Sequence, residues 1–228
     1  METFLILAIL FIAYLLGSIP FGLLIVRLRT GKDIRQIESG RTGGTNVARA
    51  AGFWSGLATA ILDLLKGAAA AWLARWLVPG NDWLAALAPL LAILGHNYSL
   101  FLAERAASGQ LRLRGGAGGA PAVGGALGLW APSILIIIPL AVAILFGIGY
   151  ASLATISVGV IATLIFAYRA WSGLSPWAYV LYGLLATAVL VWALRPNIAR
   201  LLQGTERLVG WRAGRKAKAS KSVENELH

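Results

Sequence analysis

Between residues 118 and 194 the chain is almost unbroken hydrophobe. A helix needs roughly 20 apolar residues to cross the ~30 Å hydrocarbon core of a bilayer. Before that region, 4–26, 53–78 and 83–103 are candidate spans of this length. Inside it, Pro132 after Trp130, the glycines Gly147 and Gly149, and the polar link from Arg169 to Pro176 are the natural interruptions. They divide it into 118–130, too short to span unaided, then 133–148, 150–168 and 174–194. With 58% hydrophobic and 13% charged residues and a mean hydropathy of +0.75, the chain has more apolar surface than a water-soluble domain of its length can hide. The expected fold class is an all-α integral membrane protein. The first apolar run lacks a basic leader and a small-residue cleavage site, so it reads as a retained span.

Charge orients the spans. The net charge of +11 comes from lysines and arginines gathered in polar loops, which is the signature of cytoplasmic loops and not of a nucleic-acid surface. Arg27, Arg29, Lys32, Arg35, Arg41 and Arg49 lie in the first loop, and Arg105, Arg112 and Arg114 in the third. Arg195 opens a basic tail, while the links near Gly80 and Ala131 carry no basic residue. With basic loops inside, the N-terminus is outside and the C-terminus cytoplasmic, and about seven transmembrane helices satisfy the count. Residues 1–206 form the membrane domain, and 207–228 read as a disordered basic cytoplasmic tail that rests against anionic lipid or simply serves the charge rule. With no cysteine and two histidines, disulfides and Cys/His metal clusters are excluded and a multi-histidine site is disfavoured.

The polar patches fall on one expected side of the membrane. The first is residues 38–49, where Ser39, Thr45, Asn46, Arg41 and Arg49 sit among Gly40, Gly43 and Gly44. Glycines let backbone N–H groups turn toward an anion, and Arg49 can add a charge-assisted bond. The second joins Gly95, His96 and Asn97 to Arg114, Gly115, Gly116, Ala117 and Gly118, a glycine run leading into a helix start. Close helix packing is the competing account of those glycines, and a structural donor the competing account of His96. The third is residues 195–206, read as a short interfacial amphipathic helix presenting Asn197, Arg200 and Glu206. Asp63 and Lys66, charges inside a span, share a helix face and are expected to pair, or to line the site.

Taken in order, these residues resemble a known family. Gly17-Ser18-Ile19-Pro20-Phe21-Gly22, Ser39-Gly40 with Gly43, Thr45-Asn46 and Arg49, and Leu62-Asp63-Leu64-Leu65-Lys66-Gly67 are similar to the opening of the bacterial acyl-phosphate:glycerol-3-phosphate acyltransferases. Gly95-His96-Asn97, the Gly115-Gly116 to Gly118 loop, Tyr150 with Ser152-Leu153, and Asn197-Ile198 through Gly204-Thr205-Glu206 follow in the family's order. The resemblance spans most of the chain, to about Glu206. It implies seven membrane helices with the motifs at the cytoplasmic face of a bacterial plasma membrane. It also implies acyl transfer from an acyl phosphate to glycerol 3-phosphate, without metal, acyl-CoA or other cofactor. The substrate-binding residues it implies are Ser39, Gly40, Gly43, Thr45, Asn46, Arg49, His96, Asn97, Arg114, Gly115, Gly116, Gly118, Ser152, Asn197 and Glu206. The chain departs from the pattern where Ala117 stands for the family lysine, Leu194 for its histidine, Arg41 for its loop asparagine and Pro121 for a common threonine.

An acyl phosphate is an activated mixed anhydride, so such a site needs chiefly to hold two anions together and stabilise developing charge. The expected partners are acyl phosphate, glycerol 3-phosphate and membrane lipid. Ala117 and Leu194 leave open a non-catalytic relative that binds a phospholipid or phosphate ester. A transporter is disfavoured, because only Asp63 and Lys66 carry charge toward mid-membrane.

Overall fold

The computed structural model describes residues 1–105 and 108–209; the expected basic tail lies, from residue 210 on, outside the described residues. The apolar runs form helices because their backbone groups have no other partner in lipid. Among the described residues these are α1 (Glu2–Ser18), α2 (Phe21–Thr30), α3 (Gly44–Ala51), α4 (Phe53–Leu77), α5 (Asp82–Asn97), α6 (Gly119–Leu129), α7 (Ile134–Ile148), α8 (Ala151–Trp171) and α9 (Ala178–Leu202). Among the described residues, five helical stretches are long and apolar enough to cross a membrane: Glu2–Thr30, Phe53–Leu77, Ala131–Ile148, Ala151–Trp171 and Ala178–Leu202. α5 and α6 are shorter, at 16 and 11 residues, and are the most buried of the apolar helices.

The structure amends the sequence reading in three places. The chain is mostly but not wholly helical: Ser99–Arg105 (β1) and Leu111–Arg114 (β2) pair as an antiparallel hairpin. The run expected to span 83–103 therefore leaves the helix at Asn97, where polar residues begin. The run 4–26 breaks at Ile19–Pro20, because proline has no N–H to continue the ladder. Residues 195–202 are not a separate interfacial helix but the end of α9, which carries Pro196 within it.

Helices approach closely where one side offers hydrogen in place of a side chain. Gly67 lies against the Pro121 carbonyl, and Gly124 against that of Leu64, so α4 and α6 touch backbone to backbone. Gly17 and Gly95 do the same for α1 and α5, and Gly159 and Gly183 for α8 and α9. This is the packing expected where lipid gives no hydrophobic drive between helices and van der Waals contact must hold them. The core lies where α5, α6, α8 and α9 meet, around Ile93, Ala126, Phe166, Tyr182 and Leu190. Large side chains such as Phe11, Trp76, Leu135, Leu164 and Trp192 remain on the outer surface, as a lipid-facing belt requires.

Helix ends meet in two groups. At one end Glu2, the 78–83 turn and Pro176–Ala178 line a common cavity, Arg169 stacks on Trp130 at 4.0 Å, and Arg75 caps the Gly128 carbonyl at 2.8 Å. The polar motifs assemble at the other end. Replacing Gly124 with valine forces the Leu64 carbonyl aside; overpacking of this kind costs about 2 kcal/mol or more. The expected outcome is a clearly lower unfolding temperature in detergent, whereas Gly147→Ala, at a position with open space around it, leaves that temperature unchanged.

Candidate active site

The loop before α3 is shaped by a side chain buried beneath it. Asn46 donates from Nδ2 to the carbonyls of Ile37 (3.1 Å) and Arg41 (2.9 Å), folding residues 37–41 over itself. Gly40 takes a left-handed conformation with φ 66°, and a Cβ there would sit 2.9 Å from the Arg35 carbonyl. The Thr42 N–H then reaches the Gly115 carbonyl at 3.4 Å, docking the first polar segment on the second.

The glycine loop rests on the end of α5. The Gly116 N–H donates to the His96 carbonyl at 2.9 Å. Gly115 lies against the carbonyls of His96 and Asn97, Gly116 against the His96 ring, and Gly118 against Asn97 Oδ1. Gly118, left-handed at φ 88°, starts α6, whose first N–H groups have no partner within the helix. Asn97 is buried and neither side-chain polar atom has a hydrogen-bond partner among the described residues; the same holds for Ser152 Oγ at the start of α8. Buried polar groups without partners are rare, and here they gather beside the glycine loop: Gly119 touches Thr155, one turn along α8 from Ser152.

Arg41 joins the three segments. Its Nη2 donates to the Ala193 carbonyl (2.7 Å) and to Asn197 Oδ1 (3.2 Å), and its Nη1 reaches the Gly116 carbonyl at 3.5 Å. These contacts use three of the five N–H groups of a guanidinium, leaving its remaining donors for a ligand. Burial lowers the Arg41 pKa from its usual value and nearby Arg200 lowers it further, which marks a spot of positive potential that an anion relieves. Asn197 is held in turn by Glu206, whose carboxylate accepts from Asn197 Nδ2 (2.8 Å) and from Arg200 Nε (3.0 Å) as the chain folds back after Gly204. Beyond it Arg207 pairs with Glu38, and the Val209 N–H reaches the Gly149 carbonyl at 2.8 Å.

The structure thus brings together Gly40, Asn46, His96, Asn97, Gly115, Gly116, Gly118, Asn197 and Glu206. Asn46 and Glu206 act as builders of the loop and of the α9 turn. Ser39, Thr45 and Arg49 lie exposed on the first segment and its helix α3, with Ser39 Oγ accepting from the Arg41 N–H at 3.4 Å. Gly43 precedes α3 as its N-terminal flank. Arg114 is engaged by Glu104, which also faces Arg35 at 3.7 Å. Leu194 is buried and Ala117 half-buried on the loop. Asp63 and Lys66 do pair, at 2.8 Å, and His96 Nδ1 lies 3.3 Å from the ammonium. Sequence reasoning placed Arg41 in the first anion patch and named it, with Arg114, as a candidate to replace the missing lysine; its linking contacts were not readable, because its acceptors are 75 to 156 residues away. Glu104, the tie between Arg35 and Arg114, was missed outright.

A helical membrane protein with a basic, glycine-rich site at one end of its bundle is the class that these features define. The comparisons with known proteins give the family. A family model described as glycerol-3-phosphate acyltransferase matches residues 7–204. A glycerol-3-phosphate acyltransferase of Gloeobacter violaceus is 38% identical over 87% of this chain and 92% of its own. One of Thermus thermophilus is 38% identical over 90% and 95%. The crystal structure of PlsY, an integral membrane glycerol 3-phosphate acyltransferase, in its glycerol 3-phosphate form superposes with a TM-score of 0.77 at 33% identity, covering 90% of this chain and 96% of that one. Its lysophosphatidic acid form gives 0.75 at 31% identity. The chain belongs to the glycerol-3-phosphate acyltransferase family.

The loop's anchor has a pH signature. The Asp33 carboxyl is pulled down to about 2, chiefly by its hydrogen bond with the Arg35 guanidinium. A depressed carboxyl pKa stabilises the fold fully above the unfolded value of 3.8 and loses that contribution as pH falls through about 2. Asp33→Asn is therefore expected to lower the unfolding temperature at neutral pH. The effect corresponds to under ~1 kcal/mol for a partly exposed pair. The difference from wild type should close as pH drops from about 4 to about 2, read by thermal unfolding in detergent.

Proposed function

We propose that the protein is a membrane acyltransferase that moves an acyl group from an acyl phosphate to the 1-hydroxyl of sn-glycerol 3-phosphate. The products are lysophosphatidate and inorganic phosphate. The hydroxyl oxygen attacks the acyl carbonyl carbon, the bond from that carbon to the phosphate oxygen breaks, and the leaving phosphate takes the hydroxyl's proton. Neither a protein nucleophile nor a cofactor is needed. Ser39, Arg49 and Asn197 position glycerol phosphate; Thr45 and the 115–119 backbone hold the acyl phosphate, whose chain lies between helices, with Asn46 shaping the loop from beneath and not touching the ligand.

The observation that carries this reading is Arg41. Where the family pattern has a lysine this chain has Ala117, and loss of a fixed cation facing two phosphates costs about 2–5 kcal/mol. The Arg41 guanidinium, bonded to Gly116 on one side and Asn197 on the other, puts a cation back between the glycine loop and α9. Arg114, tied to Glu104, is less suited to the task.

Seven membrane crossings are also proposed: the five long helices, with α5 and α6 as shorter, protein-shielded members. The basic end of the bundle faces the cytoplasm and the N-terminus lies outside, following the distribution of arginine and lysine. Residues 1–206 form the acyltransferase domain, and 207–228 a basic tail at the inner surface of the bacterial plasma membrane.

The purified protein, given palmitoyl phosphate and glycerol 3-phosphate in lipid, should release phosphate only when both are present. Arg49→Ala should abolish release, and Arg41→Ala should lower kcat/KM by roughly 30-fold or more. Arg41→Asn combined with Ala117→Lys, which restores the family arrangement, should recover activity that Arg41→Asn alone loses. Folded wild-type protein active only with palmitoyl-CoA would overturn the donor; inert with both, it would favour a relative that binds a phosphate ester. Topology has its own check, helped by the absence of native cysteine. In intact cells a membrane-impermeant maleimide should label Pro79→Cys and spare Lys32→Cys, and the reverse pattern would invert the orientation.

A further inference from the structure

Lys66 sits inside the bundle and is 4% exposed. Its ammonium donates to the Gly17 carbonyl (3.0 Å) and the Ile19 carbonyl (2.8 Å) and lies 2.8 Å from Asp63 Oδ1. The fourth neighbour is His96 Nδ1, at 3.3 Å. An ammonium has three donors and no acceptor; the two carbonyls and Asp63 can take all three, and a hydrogen on the facing ring nitrogen would point at a cation, which disfavours it. Asp63 Oδ1 is the other group near that nitrogen, but at 3.6 Å it is farther than the ammonium at 3.3 Å and too long for a good hydrogen bond. A neutral imidazole with a bare Nδ1 carries its hydrogen on Nε2.

The other edge of the ring faces the glycine loop. A Cβ built on Gly116 would fall on His96 Nε2, so only a glycine leaves that nitrogen uncovered. Beside it lies Asn97, buried, with its amide unpartnered and its Oδ1 against Gly118. Donors without protein acceptors, set against a glycine loop at a helix start, describe a cradle for phosphate oxygens.

We propose that Lys66, with Asp63 compensating its charge, fixes His96 as the Nε2–H tautomer, so that His96 serves as a permanent hydrogen-bond donor to the phosphate held at Gly116–Gly118. His96 is then a donor in the site and neither a general base nor a filler. Lys66 and Asp63 are positioning residues acting through it. The proposal rests on the acyltransferase reading for which phosphate is held, but the tautomer is tested apart from any activity.

The chain has two histidines, His96 and His228, so 15N-histidine labelling of the His228→Ala protein reports on His96 alone. Above neutral pH the nitrogen spectrum should show a bare Nδ1 and a protonated Nε2, and the Nε2 signal should move when inorganic phosphate or glycerol 3-phosphate is added. A protonated Nδ1, or an Nε2 blind to both anions, would overturn the proposal. In Asp63→Asn, Lys66→Met, which leaves no unpaired buried charge, the preference for Nε2–H should be lost; an unchanged spectrum would remove Lys66 from the device. Activity separates the roles of His96. His96→Gln keeps an N–H near the Nε2 position and should retain ~10–100-fold more kcat/KM than His96→Phe, the range for one hydrogen bond to a charged group. Equal loss in both would refute a donor role. Should wild-type protein prove inert while the tautomer and the phosphate-induced shift are as stated, the acyltransferase reading fails and the donor assignment stands.

Discussion

The ammonium of Lys66 is the constraint on which the rest of the bundle hangs. Pro20 ends α1 and leaves the Gly17 carbonyl without its helical partner, while the Ile19 carbonyl accepts from the Phe21 N–H at 3.1 Å and has room for a second donor. Lys66, from α4, donates to both, and Asp63 one turn away neutralises it. His96 joins from α5, so one charge locks three helices at the level where the polar motifs begin. Removing one partner of such a pair typically costs 3–5 kcal/mol, because it leaves the other charge buried alone. The break in α1, which reads as a defect, and the charges in α4, which read as a cost, are therefore two halves of one solution.

The same end of the molecule shows how a site can move a charge without moving its anchors. The acceptors that hold Arg41 are backbone carbonyls of Ala193 and Gly116 and the amide oxygen of Asn197. The Ala193 carbonyl lies near Pro196, where the helix ladder of α9 is interrupted. An arginine reaching across from the first loop can exploit such carbonyls regardless of the side chains that carry them. On the family resemblance, arginine in place of the loop asparagine and alanine in place of the glycine-loop lysine are then a paired change in chemistry on one backbone geometry.

Much of this was legible in the chain itself. Hydrophobic runs and their glycine and proline interruptions located α4, α7 and α8 to within a few residues, because lipid leaves little alternative to helix, while α9 runs on to Leu202, well past the expected end near residue 194. The motifs were readable as three pieces of one site, since basic loops share a side and the family order is preserved. What the sequence hid was set by distant partners. Residues 99–103 are apolar enough to extend α5, yet Leu100 and Phe101 face outward in a strand paired with β2. Periodicity gave no warning of that hairpin, of Glu104 holding Arg35 and Arg114, or of Glu206 turning back on Asn197. Each depends on a contact that local pattern does not encode.

The brevity of α6 has a consequence for traffic. An 11-residue helix is about 16 Å long, roughly half the ~30 Å depth of the hydrocarbon. With α6 as one of the proposed crossings, a phosphate bound at its first turn would sit below the headgroup plane, at the level where fatty chains begin. On the acyltransferase reading, a soluble phosphate ester descends to meet a lipid-borne donor that need not rise, and the long tail of the product never has to cross water.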